Sequence, residues 1–161
     1  MNMALPTNDK QKSSFKQLLK EACLKILLDR IGNIEQSILE ARESANSEEK
    51  SSAGDKYETS RAMGHLAQEM LSKQLEDARQ ELEQVNRLTP ATLSNSVSAG
   101  AVVVCNNFVF YISLGLGSSQ IENIKVTLLS PKAPIAALLS GKKAGESFIF
   151  NHSEIKILDV F

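Results

Sequence analysis

Carboxylate side chains are concentrated in a serine-rich segment about a third of the way along the chain, and they are the residues best suited to metal-assisted chemistry. Glu48, Glu49 and Asp55 lie in this segment, with Glu43 and Glu58 farther out on either side. Carboxylates are hard oxygen ligands that can hold a divalent cation and help it to activate water. At the tip of a projecting element, these three acids could reach into a partner's cleft. An ordinary solvated turn is the alternative interpretation.

The other chemically active residue types form no catalytic pattern. Neither histidine, His65 or His152, has a second ligand at metal-binding spacing. The two cysteines, Cys23 and Cys105, are expected to be buried, reduced side chains. The Gly-Leu-Gly run at 115–117 lacks the third glycine and the following helix of a nucleotide-binding loop. We therefore expect no active site within this chain, no bound metal and no cofactor of its own.

The composition argues against several classes of protein. The 161 residues include 18 basic and 19 acidic side chains, so no net field draws the chain to nucleic acid or to an anionic membrane. No apolar run reaches the roughly 18 residues of a transmembrane helix, and the N-terminus does not resemble a secretory signal. Aromatic residues make up only 5%, which disfavours a base-stacking surface. We expect a cytoplasmic monomer that meets nucleic acid only through a partner.

The chain divides near Pro90, and the first part has the pattern of two long helices. Residues 1–90 hold 13 of the 18 basic and 15 of the 19 acidic residues. Ser14 followed by Gln17 suggests a capping box near the start. Apolar residues then recur at intervals of three or four in two runs: Leu24, Leu27, Ile31, Ile34, Ile38, Ala41 and Ala45, then Met63, Ala67, Met70 or Leu71, Leu75, Ala78, Leu82 and Val85. Heptad seams of this kind predict a long antiparallel two-helix coiled coil at 13–89, with two helices of a globular bundle as the alternative.

The predicted boundaries follow from these patterns. Residues 1–12 are expected to be a flexible N-terminus, the tip of the hairpin lies at about 44–55, and 90–99 is a linker. Residues 100–161 then read as five strands and one short helical turn, at 101–105, 108–114, 124–129, 134–139, 147–150 and 155–160. The fold class is therefore α+β, a coiled coil followed by a small sheet domain.

A family resemblance lies in residues 129–146. A strand ending in Ser130-Pro131-Lys132 is followed by Pro134-Ile135-Ala136, then by Gly141-Lys142-Lys143 and Gly145-Glu146. This order resembles the C-terminal FKBP-like domain of bacterial Gre transcript-cleavage factors, whose pattern is close to SPIAxALxGKxxGD. The segment Leu39–Glu43 and the residues Tyr57 and Arg61 are also Gre-like. The resemblance covers about residues 12–161.

The resemblance implies a partner, a docking surface and a shared metal ion. The partner is RNA polymerase, whose secondary channel the coiled coil would enter while the sheet domain docks at its rim. The implied docking residues are Ser130, Pro131, Lys132, Pro134, Ile135, Ala136, Gly141, Lys142 and Lys143. Gre tips, close to GDLxENAEY, hold a magnesium ion in the polymerase active centre. Glu48, Glu49 and Asp55 are the substitutes in this chain.

The tip of this chain departs from the Gre pattern. If Tyr57 matches the family tyrosine, Lys56 stands in the place of the adjacent family glutamate. If Gly54-Asp55 instead matches the family Gly-Asp, the Asn-Ala-Glu segment of the Gre tip is missing. We therefore expect an elongation regulator that binds polymerase, with weak or no stimulation of cleavage. The alternative is a coiled-coil adaptor for another protein. A prolyl isomerase, suggested by the FKBP-like sheet, is disfavoured because the aromatic residues lie mostly at strand positions suited to core packing.

Overall fold

The computed structural model describes residues 4–48 and 54–161, without the side chains of Glu48 and Asp55. The elements are α1 (Asp9–Glu48), α2 (Gly54–Asn86), β1 (Val102–Cys105), β2 (Val109–Ile112), β3 (Gly117–Ile121), β4 (Ile124–Leu129), α3 (Pro134–Leu139), β5 (Ser147–Phe150) and β6 (Ser153–Val160). The α+β class is confirmed: two long helices precede a six-stranded mixed sheet and its short helix. No helix among these residues has the length and apolar character needed to cross a membrane.

The chain separates into two compact units. The sheet unit consists of the residues up to Lys25 together with Gln84–Phe161, and the helical unit is Ile26–Glu83. Both long helices contribute to each unit, so the unit boundary differs from the predicted division near Pro90.

In the helical unit, α1 and α2 contact each other and run antiparallel. Arg30 pairs with Glu81 at 2.8 Å between Nη1 and Oε2, and Glu35 pairs with Arg79 at 3.1 Å. These side chains are largely exposed, so each ion pair stabilises the hairpin by only about 0–1 kcal/mol. Most of the stability must come from the apolar residues between the helices.

The burial expected of the seam residues is found throughout α1 and in only part of α2. All seven α1 seam residues are buried or half-buried, with Leu27 fully buried. The C-terminal half of the α2 seam, from Leu71 to Val85, is also buried or half-buried. The prediction is wrong for Met63, Ala67 and Met70, because their side chains are exposed. Their places are taken by half-buried residues that are small or polar: Tyr57, Gly64 and Gln68.

The first helix begins earlier and ends later than the sequence suggested. Asn8 Oδ1 accepts the Gln11 N–H at 2.9 Å, and Gln11 Oε1 accepts the Asn8 N–H at 3.5 Å. This reciprocal pair is a capping box one turn or more before the one expected at Ser14. Residues 9–12 are therefore helical rather than part of a flexible terminus. The first residues of the predicted tip, 44–48, are helical as well.

The sheet has the strand order β3-β4-β2-β1-β6-β5. Neighbouring strands are antiparallel except for β2 and β4, which are parallel. The expected hairpin across Asn106-Asn107 is confirmed, because Val104 faces Val109. In the β5–β6 turn, Asn151 and His152 both have positive φ, as in the tight turns that suit hairpins.

Strand β3 is absent from the sequence prediction. Its residues Gly-Ser-Ser-Gln-Ile are mostly exposed at the edge of the sheet, so they carry no apolar alternation. The hairpin to β4 turns at Glu122 and Asn123, with φ of 49° and 70°. An asparagine between Ile121 and Ile124 was the available signal for this turn, and a weak one.

The two faces of the sheet have different coverings. One face carries α3 and the cluster Val97, Ala101, Val103, Cys105, Phe110, Ile112, Ala136, Leu139, Phe148, Ile155, Ile157 and Val160. The N-terminal part of α1 contacts the sheet through Cys23, whose Sγ lies 3.7 Å from Ser113 Oγ. Lys12 pairs with Asp159 at 2.7 Å and lies 4.9 Å from the centre of the Phe161 ring.

Two lysines of α1 bind the chain that follows α2. Lys20 Nζ donates to the carbonyl oxygens of Asn86 and Leu88 at 2.8 and 2.7 Å. Lys16, only 3% exposed, donates to the Thr92 carbonyl at 2.6 Å, and burial lowers the pKa of its ammonium group. Carbonyl groups at a helix end lack partners in their own helix. Lys20 supplies a donor to such a carbonyl at Asn86, and both lysines hold the chain that follows α2.

Candidate functional site

The segment implied to dock on a partner begins with a turn at the end of β4. The Ser113 N–H donates to the Leu129 carbonyl at 2.8 Å, which aligns the strand end. Ser130 then accepts twice: its Oγ from the Lys132 N–H at 3.2 Å and its carbonyl from the Ala133 N–H at 3.0 Å. Because its polar groups bind the backbone, Ser130 shapes the turn that leaves Pro131 and Lys132 exposed.

Helix α3 follows, and its ends explain two of the motif residues. Pro134 occupies the first turn, where a missing N–H is harmless. Gly141 has a φ of +74° and donates its N–H to the Val97 carbonyl at 2.9 Å. The Val97 N–H donates in turn to the Lys142 carbonyl at 2.8 Å. This pair binds the segment to the linker through main-chain groups, which no side-chain pattern could have revealed.

Glu146 holds the second turn of the motif. Its Oε2 accepts the Lys143 N–H at 2.6 Å, and its Oε1 lies 4.0 Å from Lys142 Nζ. Gly145, with a φ of +92°, donates to the Ile157 carbonyl at 2.8 Å. An acidic residue and a positive-φ glycine at these positions are thus explained by the fold itself.

The implied docking residues differ in exposure. Pro131, Lys132, Pro134, Gly141 and Lys143 are exposed, and we call these five residues the loop surface. Ser130, Ile135 and Lys142 are half-buried, and Ala136 is a core residue at 4% exposure. Lys142 lies near a carboxylate, whereas within residues 4–48 and 54–161 no carboxylate pairs with Lys132 or Lys143. The charge available to a partner is therefore carried by Lys132 and Lys143.

The acidic tip is only partly described. Glu48 is the last residue of α1 and Asp55 the second residue of α2, but their side chains lie outside the described part of the structure. Glu49 also lies outside it. Glu43 and Glu58 are exposed on their helices.

Metal-binding and nucleophilic groups do not assemble elsewhere in the described chain. Across residues 4–48 and 54–161, no three His, Cys, Asp or Glu side chains cluster in a way that could hold a metal ion. The expected burial of Cys23 and Cys105 is confirmed, and both are free thiols. Burial raises the pKa of Cys105 to about 11, and it also raises the pKa of Cys23. Neither thiol therefore has the depressed pKa of a reactive nucleophile.

Comparison with protein-family models and with curated proteins gave no match to this chain. The Gre resemblance therefore depends on residues 129–146 and on the order of hairpin and sheet.

Proposed function

We propose that this chain is a Gre-like regulator of transcription elongation that binds RNA polymerase at its secondary channel. The sheet unit would dock at the channel rim through the loop surface, and the helical hairpin would enter the channel as a coiled coil. The observation that carries the proposal is the 130–146 segment. Its motif residues build two ordered turns that leave Lys132 and Lys143 exposed for a partner.

The hairpin supports the same proposal. Seam residues of α1 are buried or half-buried over three heptads, and two ion pairs join α1 to the antiparallel α2. A pair of long helices is a narrow, projecting element, because each helix is only about 10–12 Å wide with its side chains. The mixed sheet with one short helix after β4 is consistent with the FKBP-like domain that the resemblance implies.

The altered tip favours binding without strong cleavage. A magnesium ion that activates water needs carboxylate oxygens, and Lys56 cannot supply them. Any cleavage by this chain would then depend on Glu48, Glu49 and Asp55. Replacing these three acids by alanine should leave polymerase binding unchanged. A backtracked elongation complex with labelled RNA measures the activity, and strong cleavage by the native chain that disappears in the triple variant would contradict our expectation.

The binding test uses the full chain and core RNA polymerase. A chain carrying Lys132→Glu and Lys143→Glu should bind more weakly, and the loss should be larger at low salt because screening removes long-range attraction. Lys125→Glu and Lys156→Glu together are the matched control, because both lysines are exposed on strands of the same sheet unit. Failure of the native chain to bind at low salt, or an equal loss in the control, would refute the docking surface.

An apolar stripe favours the adaptor function as the second candidate. Met63, Leu66 and Met70 follow each other on one face of α2 and are 67%, 57% and 57% exposed. Exposed apolar patches often mark interaction sites. Substituting all three by serine would abolish partner binding if the chain is an adaptor. If the loop surface docks on polymerase, the same substitution should leave that affinity nearly unchanged.

A further inference from the structure

A cavity of about 240 Å³ lies between α1 and α2 in the helical unit. It exists because the facing residues are small: Ala41 and Ala45 on α1 and Gly64 on α2. A β-carbon built at Gly64 would meet no atom within 4 Å. The gap coincides with the part of the α2 seam where the predicted apolar residues face outward instead.

The polar side chains around the cavity can all donate hydrogen bonds, and all of them except that of Arg61 can also accept. They are Ser44, Tyr57, Ser60, Arg61, His65 and Gln68. Ile26–Glu83 contains 13 acidic and 7 basic residues, yet none of the described lining residues is a carboxylate. The described lining therefore combines apolar surface with several donors and one positive charge, in a unit that is otherwise acidic.

Arg61 is an exposed residue that lines the cavity and also has no carboxylate partner among the described residues, a combination that Arg30, Arg42 and Arg79 do not share. Arg30 and Arg79 each pair with a glutamate of the opposite helix. Among the described residues, no carboxylate pairs with Arg61, which lines the cavity one helical turn before His65. A guanidinium group can give two parallel hydrogen bonds to an oxyanion, and such charge-assisted bonds are stronger than neutral ones.

We propose that this cavity binds a phosphate group, with Arg61 as its principal ligand. Hydroxyl, amide and imidazole groups around it offer more donors than the two oxygens of a carboxylate would use, and a phosphate group presents at least three oxygens. The phosphate could be a free ion or part of a larger ester. The inference is independent of polymerase binding.

Titration of the isotope-labelled full chain, followed by amide chemical shifts at low salt, tests the site. The probes are inorganic phosphate, adenosine monophosphate and acetate. We expect saturable shifts at Gly64 and neighbouring amides with at least one phosphate probe, and weaker binding of acetate. Tighter binding of the nucleotide would indicate a phosphate ester, and tighter binding of inorganic phosphate the free ion; either supports the proposal.

Matched variants decide whether the cavity is responsible. Arg61→Gln should weaken phosphate binding by about ten-fold or more. Arg42→Gln removes a charge that also lacks a carboxylate partner among the described residues, and it should have little effect because Arg42 does not line the cavity. Gly64→Leu should fill the cavity and abolish binding, whereas Gly32→Leu, at another open helical glycine, should not.

Several results would overturn the proposal. These are the absence of saturable shifts with both phosphate probes, an equal loss in Arg42→Gln and Arg61→Gln, acetate binding as tight as phosphate binding, or undiminished binding in a folded Gly64→Leu chain. Helical content of each variant is checked by circular dichroism. If Gly64→Leu disturbs the helices, the arginine pair still decides the outcome, because neither substitution breaks an ion pair with a described residue.

Discussion

Raising the pH should destabilise the sheet unit through the Cys105 thiol. Cys105 ends β1 at 5% exposure and belongs to the apolar cluster under α3. Burial penalises the thiolate and raises the pKa of this thiol from 9.0 to about 11. The folded chain therefore keeps its proton over a pH range in which the unfolded chain has lost it. The stabilisation is complete below pH 9 and is lost as the pH rises towards 11.

The magnitude follows from the size of the shift. Since one pKa unit corresponds to 1.36 kcal/mol, a rise from 9.0 to about 11 corresponds to a maximum of about 3 kcal/mol. Linkage distributes this loss over the titration, so that the free energy of unfolding falls by about 1 kcal/mol by pH 10 and about 2 kcal/mol by pH 11 from this group.

Urea unfolding at a series of pH values, followed by circular dichroism, measures the effect. The Cys105→Ala chain is less stable at neutral pH because a buried side chain is truncated, but its stability should fall less steeply above pH 9. Cys23, Tyr111 and Lys16, whose pKa values are also shifted by burial, are common to both chains, so the difference in slope isolates Cys105. Equal slopes in the two chains would refute the argument.

Three further predictions concern the helices. Ile31→Asp places a carboxylate at a seam position that is 9% exposed, so the helical circular dichroism signal should fall. Leu39→Asp, at a position that is 49% exposed, should retain the signal. A larger loss in Leu39→Asp than in Ile31→Asp would contradict the assigned seam. Asn8→Ala removes the acceptor for the Gln11 N–H and should lower the free energy of unfolding by about 1 kcal/mol in urea titrations, with Asn8→Asp close to native. Gly32→Ala should raise the free energy of unfolding by up to about 1 kcal/mol, and with it the melting temperature, because the site is helical and has room for a β-carbon. A lower melting temperature would contradict this prediction.

The hairpin and most strands could be predicted because periodicity reports burial directly. The α1 seam and the alternation in β4 each define one buried face, and the continuous apolar run of β1 marks a strand that is buried throughout. The α2 seam failed in its first half because Met63 and Met70 also recur at helical spacing, so two apolar stripes compete in one helix. Gly64 and Gln68 face small residues of α1, namely Ala41 and Ala45. The choice between the two stripes of α2 therefore depends on the residues of the facing helix.

The candidate site could be located but not dissected from the sequence. The motif residues were evident, yet their types do not tell which of them stabilise the two turns and which have side chains that are exposed to a partner. Lys142 and Lys143 are adjacent and chemically alike, but only Lys142 has its ammonium group near the Glu146 carboxylate, whereas Lys143 binds that carboxylate through its main-chain N–H. The main-chain bonds between Val97 and the segment after α3 involve no distinctive side chain, so the linker's part in shaping the site could not be foreseen.

Site-specific photo-crosslinking from the hairpin tests the central claim most directly. A photoreactive residue in place of Glu43, which is exposed near the end of α1, would be carried into the secondary channel of bound core polymerase. The account predicts crosslinks to polymerase residues that line the channel, and their loss when Lys132→Glu and Lys143→Glu are introduced into the same chain. Crosslinks confined to the outer surface of polymerase, or none at concentrations where the chain is bound, would contradict it.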